Sequence, residues 1–290
     1  MEYYSPVNDL MLKKILTSEK DSQEIMTAFV NDLLGKNFKK VTPMSYYHID
    51  GYKKNQEMTG FTVPEGDIWA MTEEGSVITI DFQRWYHDYS VERAYKYLIE
   101  AFCELPLSDQ DLFGEKLLAT PRPTYRIVML NFDLFESEDK ALRVFDLRNE
   151  VTYEAYPGPR GENPLNLCFF SLRNDNIEKG SAAHYWQYFF KTGKLLDDDA
   201  PDYIKDAHLK IQFSFQTEEE IQTIMQIEKA NDIRDAELST AEIIGEEKGA
   251  KKKAKAIAKR MVKKMYDVET IVELTGLSKK KVEEMMDDLS

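Results

Sequence analysis

Asp67 and Asp81 are the residues of this 290-residue chain whose types and spacing first suggest chemistry. They fall in FTVPEGDIWAMTEEGSVITIDFQ, residues 61–83, where Ile78, Ile80 and Phe82 alternate with Thr79, Asp81 and Gln83. That is the period-2 pattern of a strand with one face in a core. The preceding arm, Thr62 to Met71, is less regular but sets Glu65, Asp67 and Trp69 on one side. Glu73-Glu74-Gly75 supplies the turn, its glycine suited to the left-handed last position of a three-residue hairpin loop. With that loop Thr72 pairs with Ser76 and Asp67 faces Asp81; a two-residue loop at Glu74-Gly75 shifts the register by one and turns Asp67 towards Phe82 instead. Facing carboxylates, with Cβ atoms about 4.5–5.5 Å apart, are destabilising without a counter-charge. A divalent cation is the simplest remedy, and oxygen-only ligation with open positions suits magnesium, with manganese as the alternative. Such an ion acidifies bound water and offsets charge that develops on a phosphoryl group.

The elements that must position this hairpin follow from periodicity and punctuation. Residues 8–34 read as one or two helices, with Asn8 or Asp9 as cap and Asp9 and Lys13 four apart on one face, an arrangement that also suits a plain surface ion pair. Ile25, Met26, Phe29, Val30, Leu33 and Leu34 form an amphipathic stripe that Gly35 ends. Residues 41–50 suggest an early strand. After the hairpin, Ser90 caps a helix to about Leu105, where Pro106 closes it. Arg93 and Tyr97 lie one turn apart on it and offer a guanidinium and a phenol to a phosphate, or simply pack on each other. Tyr125 to Phe132 returns as an apolar strand, so strand, helix and strand form a crossover unit. Further on, Arg143 to Leu147 and Val151 to Tyr156 suggest a hairpin about Arg148-Asn149-Glu150. Leu167 to Leu172 is another strand, and helices follow near 179–191 and 201–209.

Read together, these residues resemble the PD-(D/E)xK nuclease superfamily, in the branch that writes (D/E)xQ. Asp67 and, after thirteen intervening residues, Asp81 within Ile80-Asp81-Phe82-Gln83 match its D…(D/E)x(K/Q) order. The branch is similar to the Rpn recombination-promoting nucleases, also called PD-(D/E)xK family transposases. Asn8-Asp9 with Leu12-Lys13-Lys14-Ile15, Phe29-Val30-Asn31-Asp32-Leu33-Leu34, Arg93 to Tyr97 and the late Thr275-Gly276-Leu277-Ser278 fit the same family. The resemblance implies an α/β, restriction-endonuclease-like core with a mixed central sheet flanked by helices, and metal-dependent hydrolysis of DNA. Asp67, Asp81 and Gln83 are then the catalytic set, with Asp67, Asp81 and the Phe82 carbonyl as ligands of magnesium or manganese. Asp9, Lys13, Glu65, Arg93 and Tyr97 support them. Gln83 stands where the superfamily usually has lysine; a neutral amide orients water but is no base at neutral pH. Glu65, Lys13 and solvent remain as proton acceptors. The other class of reading is a nuclease fold without cleavage, kept as a DNA- or partner-binding module.

From Thr217 the chain changes character. Thr217 and Glu220 have capping-box spacing, and a polar segment poor in glycine and proline runs to Tyr266 as a long helix. Glu218 to Glu247 is acidic, whereas Lys248 to Lys264 holds nine Lys/Arg and no acidic residue. This split suits either a solvated helix or a cationic arm on a nucleic-acid backbone, with Lys251, Lys252, Lys253, Lys255, Lys259 and Arg260 as the contacts. Residues 267–290 read as helix, turn, helix, capped by Asp267, ended by Gly276 and restarted at Ser278. Ile271, Leu274, Leu277, Val282 and Met286 meet inside this pair. So small a unit needs the long helix or a second subunit to dock on. The expected organisation is a nuclease-like domain over 1–216, a charged helix over 217–266 and a helix-turn-helix-like end over 267–290, with homo-oligomers formed through the tail.

Composition bounds the rest. A net charge of −14 argues against a broadly basic surface, though not a local one. No stretch nears the ~18 apolar residues of a membrane span, and MEYYSPVNDL lacks the regions of a signal peptide, so a cytoplasmic protein without membrane contact is expected. His48, His87, His184 and His208 have no zinc spacing, and Cys103 and Cys168 read as buried, reduced thiols.

Overall fold

The computed structural model describes residues 3–18, 22–49, 67–103, 122–136, 138–158 and 161–287. They divide into two compact units, Met1–Ile227 and Glu228–Ser290. In the first unit the elements run α1 (Asp9–Thr17), α2 (Ser22–Leu34), β1 (Val41–Pro43), β2 (Ile68–Thr72), β3 (Val77–Gln83), α3 (Ser90–Cys103) and β4 (Thr124–Leu130). Then come β5 (Leu142–Asp146), β6 (Leu165–Ser171), α4 (Ala182–Thr192), α5 (Asp202–Lys210) and the first turns of α6 (Glu218–Lys263). The second unit is the rest of α6 with α7 (Val268–Thr275) and α8 (Lys279–Asp287).

Among the described residues six strands form one mixed sheet in the order β1-β2-β3-β4-β6-β5. β2 and β3 are antiparallel, β3, β4 and β6 run parallel, and β1 and β5 close the two edges in antiparallel pairing. Side chains alternate across each strand, so the sheet has two chemically distinct faces. On one face Ile68, Ala70, Ile78, Ile80, Tyr125, Ile127, Met129, Cys168 and Phe170 join the apolar sides of α1, α2, α4 and α5 in the main core. The other face carries Thr79, Asp81, Gln83, Arg126, Val128 and Leu130. Over it lies α3, with Ala94 packed against Val128, Leu130 and Phe169. α3 is the crossover between parallel β3 and β4, so its chain path puts it over the sheet.

Several expectations are corrected here. The strand read over 41–50 is confined to Val41–Pro43. β3 is buried on both faces, not one, because α3 covers the side that carries the polar residues. The hairpin about Arg148-Asn149-Glu150 shrinks to a single bridge, Arg148 to Ala155; β5 finds its partner in β6. Ser90 is the first residue of α3, and its hydroxyl accepts from the His87 N–H at 3.1 Å in place of capping a later turn. Cys103 is exposed, whereas Cys168 is buried and its thiol is driven far up by desolvation.

Local signals hold elsewhere. Asn8 accepts from the Leu10 N–H at 3.1 Å to start α1. Thr217 and Glu220 close a capping box: the Glu220 N–H donates to the Thr217 hydroxyl at 3.2 Å and the Thr217 N–H to Glu220 Oε2 at 2.8 Å. In the second unit Asp267 caps α7 through the Thr270 N–H, and Gly276, at φ +66°, ends it in the left-handed conformation. Ile271 and Val282 are buried with Ala258 of α6, so the end of the chain docks on the long helix. Leu274, expected inside this cluster, is exposed.

Candidate active site

Asp67 directly precedes β2, and the register Ile68 to Ile80 carried one residue further sets it opposite Asp81. The turn fixes that register. The Thr72 N–H donates to the Ser76 carbonyl at 3.0 Å, so the loop is Glu73-Glu74-Gly75, with Gly75 at φ +88°. The alternative loop of two residues is thereby excluded. Gln83 lies two residues beyond Asp81 on the same face, and its Nε2 donates to Asp81 Oδ2 at 3.3 Å. Phe82 turns its side chain to the main core.

The counter-charge that facing carboxylates require is present, and it is a side chain. Arg126 Nη1 donates to Asp67 Oδ2 at 2.9 Å and Nη2 to Asp81 Oδ2 at 3.1 Å, while Nη1 also reaches Thr79 Oγ1 at 3.4 Å. Its β4 position pairs with Thr79 on β3, which puts it on the carboxylate face of the sheet. The Tyr97 ring of α3 lies 5.1 Å from the guanidinium carbon and closes the cluster from above. Arg126 is 0% exposed, and both aspartates are buried. Sequence reasoning passed over this residue because Tyr125 to Phe132 reads as apolar. The signal was there nonetheless: a lone charge inside a buried strand must find a partner.

Two carboxylates against one guanidinium leave one negative charge in excess. Burial first, and the neighbouring Asp81 second, push the Asp67 carboxyl up to about 7, against the opposing pull of Arg126. A proton on Asp67 removes the excess, so its titration falls near neutrality. Hydrogen bonding is incomplete here too. Among the described residues, Asp67 Oδ1, Arg126 Nε, Trp69 Nε1 and Arg93 Nε are buried without a partner.

The remaining predicted residues divide as follows. Arg93 stacks over Tyr97 at 5.5 Å, so the pair that was to offer two groups to a phosphate is packed on itself. Asp9 and Lys13 share one face of α1. The neighbouring Lys14, which the sequence offers only as part of the Leu12-Lys13-Lys14-Ile15 motif, bridges to Glu220 Oε2 at 2.8 Å. Glu65 lies outside the described residues. Lys251, Lys252, Lys253, Lys255, Lys259 and Arg260 are exposed along α6 in the second unit.

The chain matches the PD-(D/E)XK nuclease family transposases over residues 6–232. It belongs to that family. No curated protein and no solved structure matches it. The mixed sheet flanked by helices is the core this PD-(D/E)XK family member was expected to have, and the match carries a nuclease-type fold in a transposase setting. No helix among the described residues is long and apolar enough to cross a membrane.

PD-(D/E)XK nucleases generally use divalent metal ions. By donor type the pair suits one: hard carboxylate oxygens, one of them, Asp67 Oδ1, buried and unpartnered. By occupancy it does not. The guanidinium already holds the two facing oxygens, and each further unit of positive charge at ~4 Å meets repulsion of about 4 kcal/mol at an effective permittivity of ~20. Nor do the described residues gather three His, Cys, Asp or Glu side chains around one point. With Arg126 in this position the arrangement does not fit a metal.

Proposed function

We propose that the core hydrolyses DNA phosphodiesters at the Asp67, Asp81 and Gln83 end of the hairpin, as an endonuclease of recombination, mobile-element or defence biology. Family membership together with two aspartates on facing strands, and a glutamine two residues on, supports this reading. The chain's own groups suggest a division of labour. Asp67, whose carboxyl is pushed up to about 7 and whose Oδ1 is uncommitted, can take a proton from water near neutral pH. Gln83 can orient that water through its amide. Magnesium, or manganese in its place, is the cation to add in the assay. The residues 1–216, 217–266 and 267–290 then correspond to the acting domain, a charged helix and a small assembly end.

A second reading has a specific observation behind it. Arg126 satisfies the aspartates internally, as expected of a fold kept for DNA or partner binding without cleavage, with α6, α7 and α8 carrying assembly into homo-oligomers. Nicking of supercoiled plasmid by the purified chain with magnesium or manganese separates the two. Cleavage that disappears in Asp67→Ala and Asp81→Ala supports hydrolysis; DNA retention with no cleavage under either metal supports the binding module. In both readings the full chain elutes as an oligomer on a sizing column, and a chain ending at Ile227 as a monomer.

A further inference from the structure

We propose that Arg126 is a resident cation of this site, standing where a divalent ion would act, so that metal binds the aspartates appreciably only once the guanidinium is removed. The inference rests on the Asp67 and Asp81 pair being the site assigned above. Three observations carry it. Both facing oxygens, Asp67 Oδ2 and Asp81 Oδ2, are taken by one side chain, at 2.9 and 3.1 Å. That side chain is wholly buried, clamped between Thr79 on β3 and the Tyr97 ring on α3, so solvent does not screen its charge. Meanwhile Asp67 Oδ1 is left without a partner, so a carboxylate with spare donor capacity is held in place but not saturated. Guanidinium and metal are both cations recognised by the same two anions, and their binding is competitive by simple Coulomb repulsion.

The competition runs in a definite direction. Arg126 is tethered to β4 and pays no association entropy, whereas an ion from solution must displace it or crowd against it. The chain therefore holds both facing carboxylate oxygens without metal, and its stability does not depend on one. Removing the guanidinium reverses both properties: the pair becomes an uncompensated anionic pocket, and any divalent ion that enters contributes to folding.

Isothermal titration of the full chain with Mn²⁺ alone, and thermal unfolding with and without Mn²⁺ or Mg²⁺, test this on wild type, Arg126→Gln and Arg126→Gln/Asp81→Asn. Wild type is expected to give no saturable binding below about millimolar Mn²⁺ and an unfolding midpoint that the metals leave unmoved. Arg126→Gln is expected to bind at least about tenfold more tightly and to show a midpoint that rises with metal concentration, and the double variant to lose both gains. If Arg126→Gln folds only when Mn²⁺ is added, the inference is supported. Saturable micromolar binding by wild type that Asp67→Asn abolishes overturns it. So does an Arg126→Gln chain that neither folds nor binds with Mn²⁺, since a metal then cannot take the guanidinium's place. The cleavage reading fails separately: metal binding gained in Arg126→Gln with no nicking in any variant leaves the resident cation standing and removes the nuclease.

Discussion

Two ion clusters of the first unit, one part-buried and one fully buried, each built from basic and acidic side chains, are balanced in opposite ways. Where α1 meets the start of α6, Lys14 Nζ donates to Glu220 Oε2, Gln216 Oε1 and the Phe215 carbonyl at 2.8, 2.7 and 2.8 Å. Glu220 also accepts from the Thr217 N–H at 2.8 Å and the Tyr47 hydroxyl at 2.9 Å. One cation meets one anion, and the donors of the ammonium are all used. Under α3, two anions share one cation, and buried polar atoms go unpartnered. The first arrangement is what a clamp needs. The second retains an unsatisfied demand for a proton, which a structural ion pair has no reason to keep.

The largest test of that contrast is Arg126→Met. It leaves two buried carboxylates with no counter-charge, and breaking a buried pair by removing one partner costs about 3–5 kcal/mol. Urea unfolding near pH 7 should show that loss, and Asp67→Asn with Asp81→Asn added to Arg126→Met should recover most of it. Recovery with only Asp81→Asn added would mean that Asp67 is already neutral at that pH.

Next in size is the pH response, where the clusters should diverge in sign. Asp67 is raised in the folded state, so between about 4 and 7 the folded chain holds a proton the unfolded one has lost. Its contribution to stability is complete at the acid end and fades as pH rises through that window, with a slope of at most about 1.4 kcal/mol per pH unit. Glu220 goes the other way. Burial raises it, but Lys14, the Thr217 N–H and Tyr47 together outweigh burial and hold it below the ordinary glutamate range. Its contribution is complete above about 4.5 and fades as pH falls. Urea midpoints from pH 4 to 8 should therefore lose their alkaline decline in Asp67→Asn and their acid decline in Glu220→Gln. A common response in both variants would erase the distinction.

Lys14→Met comes third. Hydrogen bonds to charged groups contribute about 1.5–3 kcal/mol each, partly replaced by water here because Lys14 keeps some exposure, so a net loss of about 2 kcal/mol is expected by urea unfolding. Thr217→Ala removes only the reciprocal cap, at about 1 kcal/mol.

How far all this could be read in advance depended on range. The Asp67 and Asp81 register was legible because a period-2 pattern and one glycine, both within seventeen residues, determine it. The Thr217 capping box and the Asp267 and Gly276 ends of α7 were legible for the same reason. Arg126 was not. Its burial depends on a partner forty-five residues away on a neighbouring strand, and nothing within its own strand says which face it takes. The role of Lys14 is also beyond any local pattern, since its carboxylate partner lies 206 residues away. β5 likewise failed locally: its neighbour in sequence turned well, but β6 offered a full antiparallel ladder and won.

The smallest expected change in stability is also the one that bears most directly on chemistry. Gln83 donates to Asp81 at 3.3 Å, a long bond to an oxygen already held by Arg126, so Gln83→Leu should cost less than about 1 kcal/mol and leave the urea midpoint nearly unmoved. Lys14 of the other cluster could not be lost so cheaply, because its three bonds are all short, at 2.7 to 2.8 Å. If the Asp67 and Asp81 cluster were structural in the same sense, Gln83→Leu would be silent in every assay. If it is a site, the same substitution removes the amide that orients a nucleophile, and plasmid nicking should fall by about 100-fold or more at unchanged stability. Loss of nicking in proportion to loss of stability would place both clusters in one class.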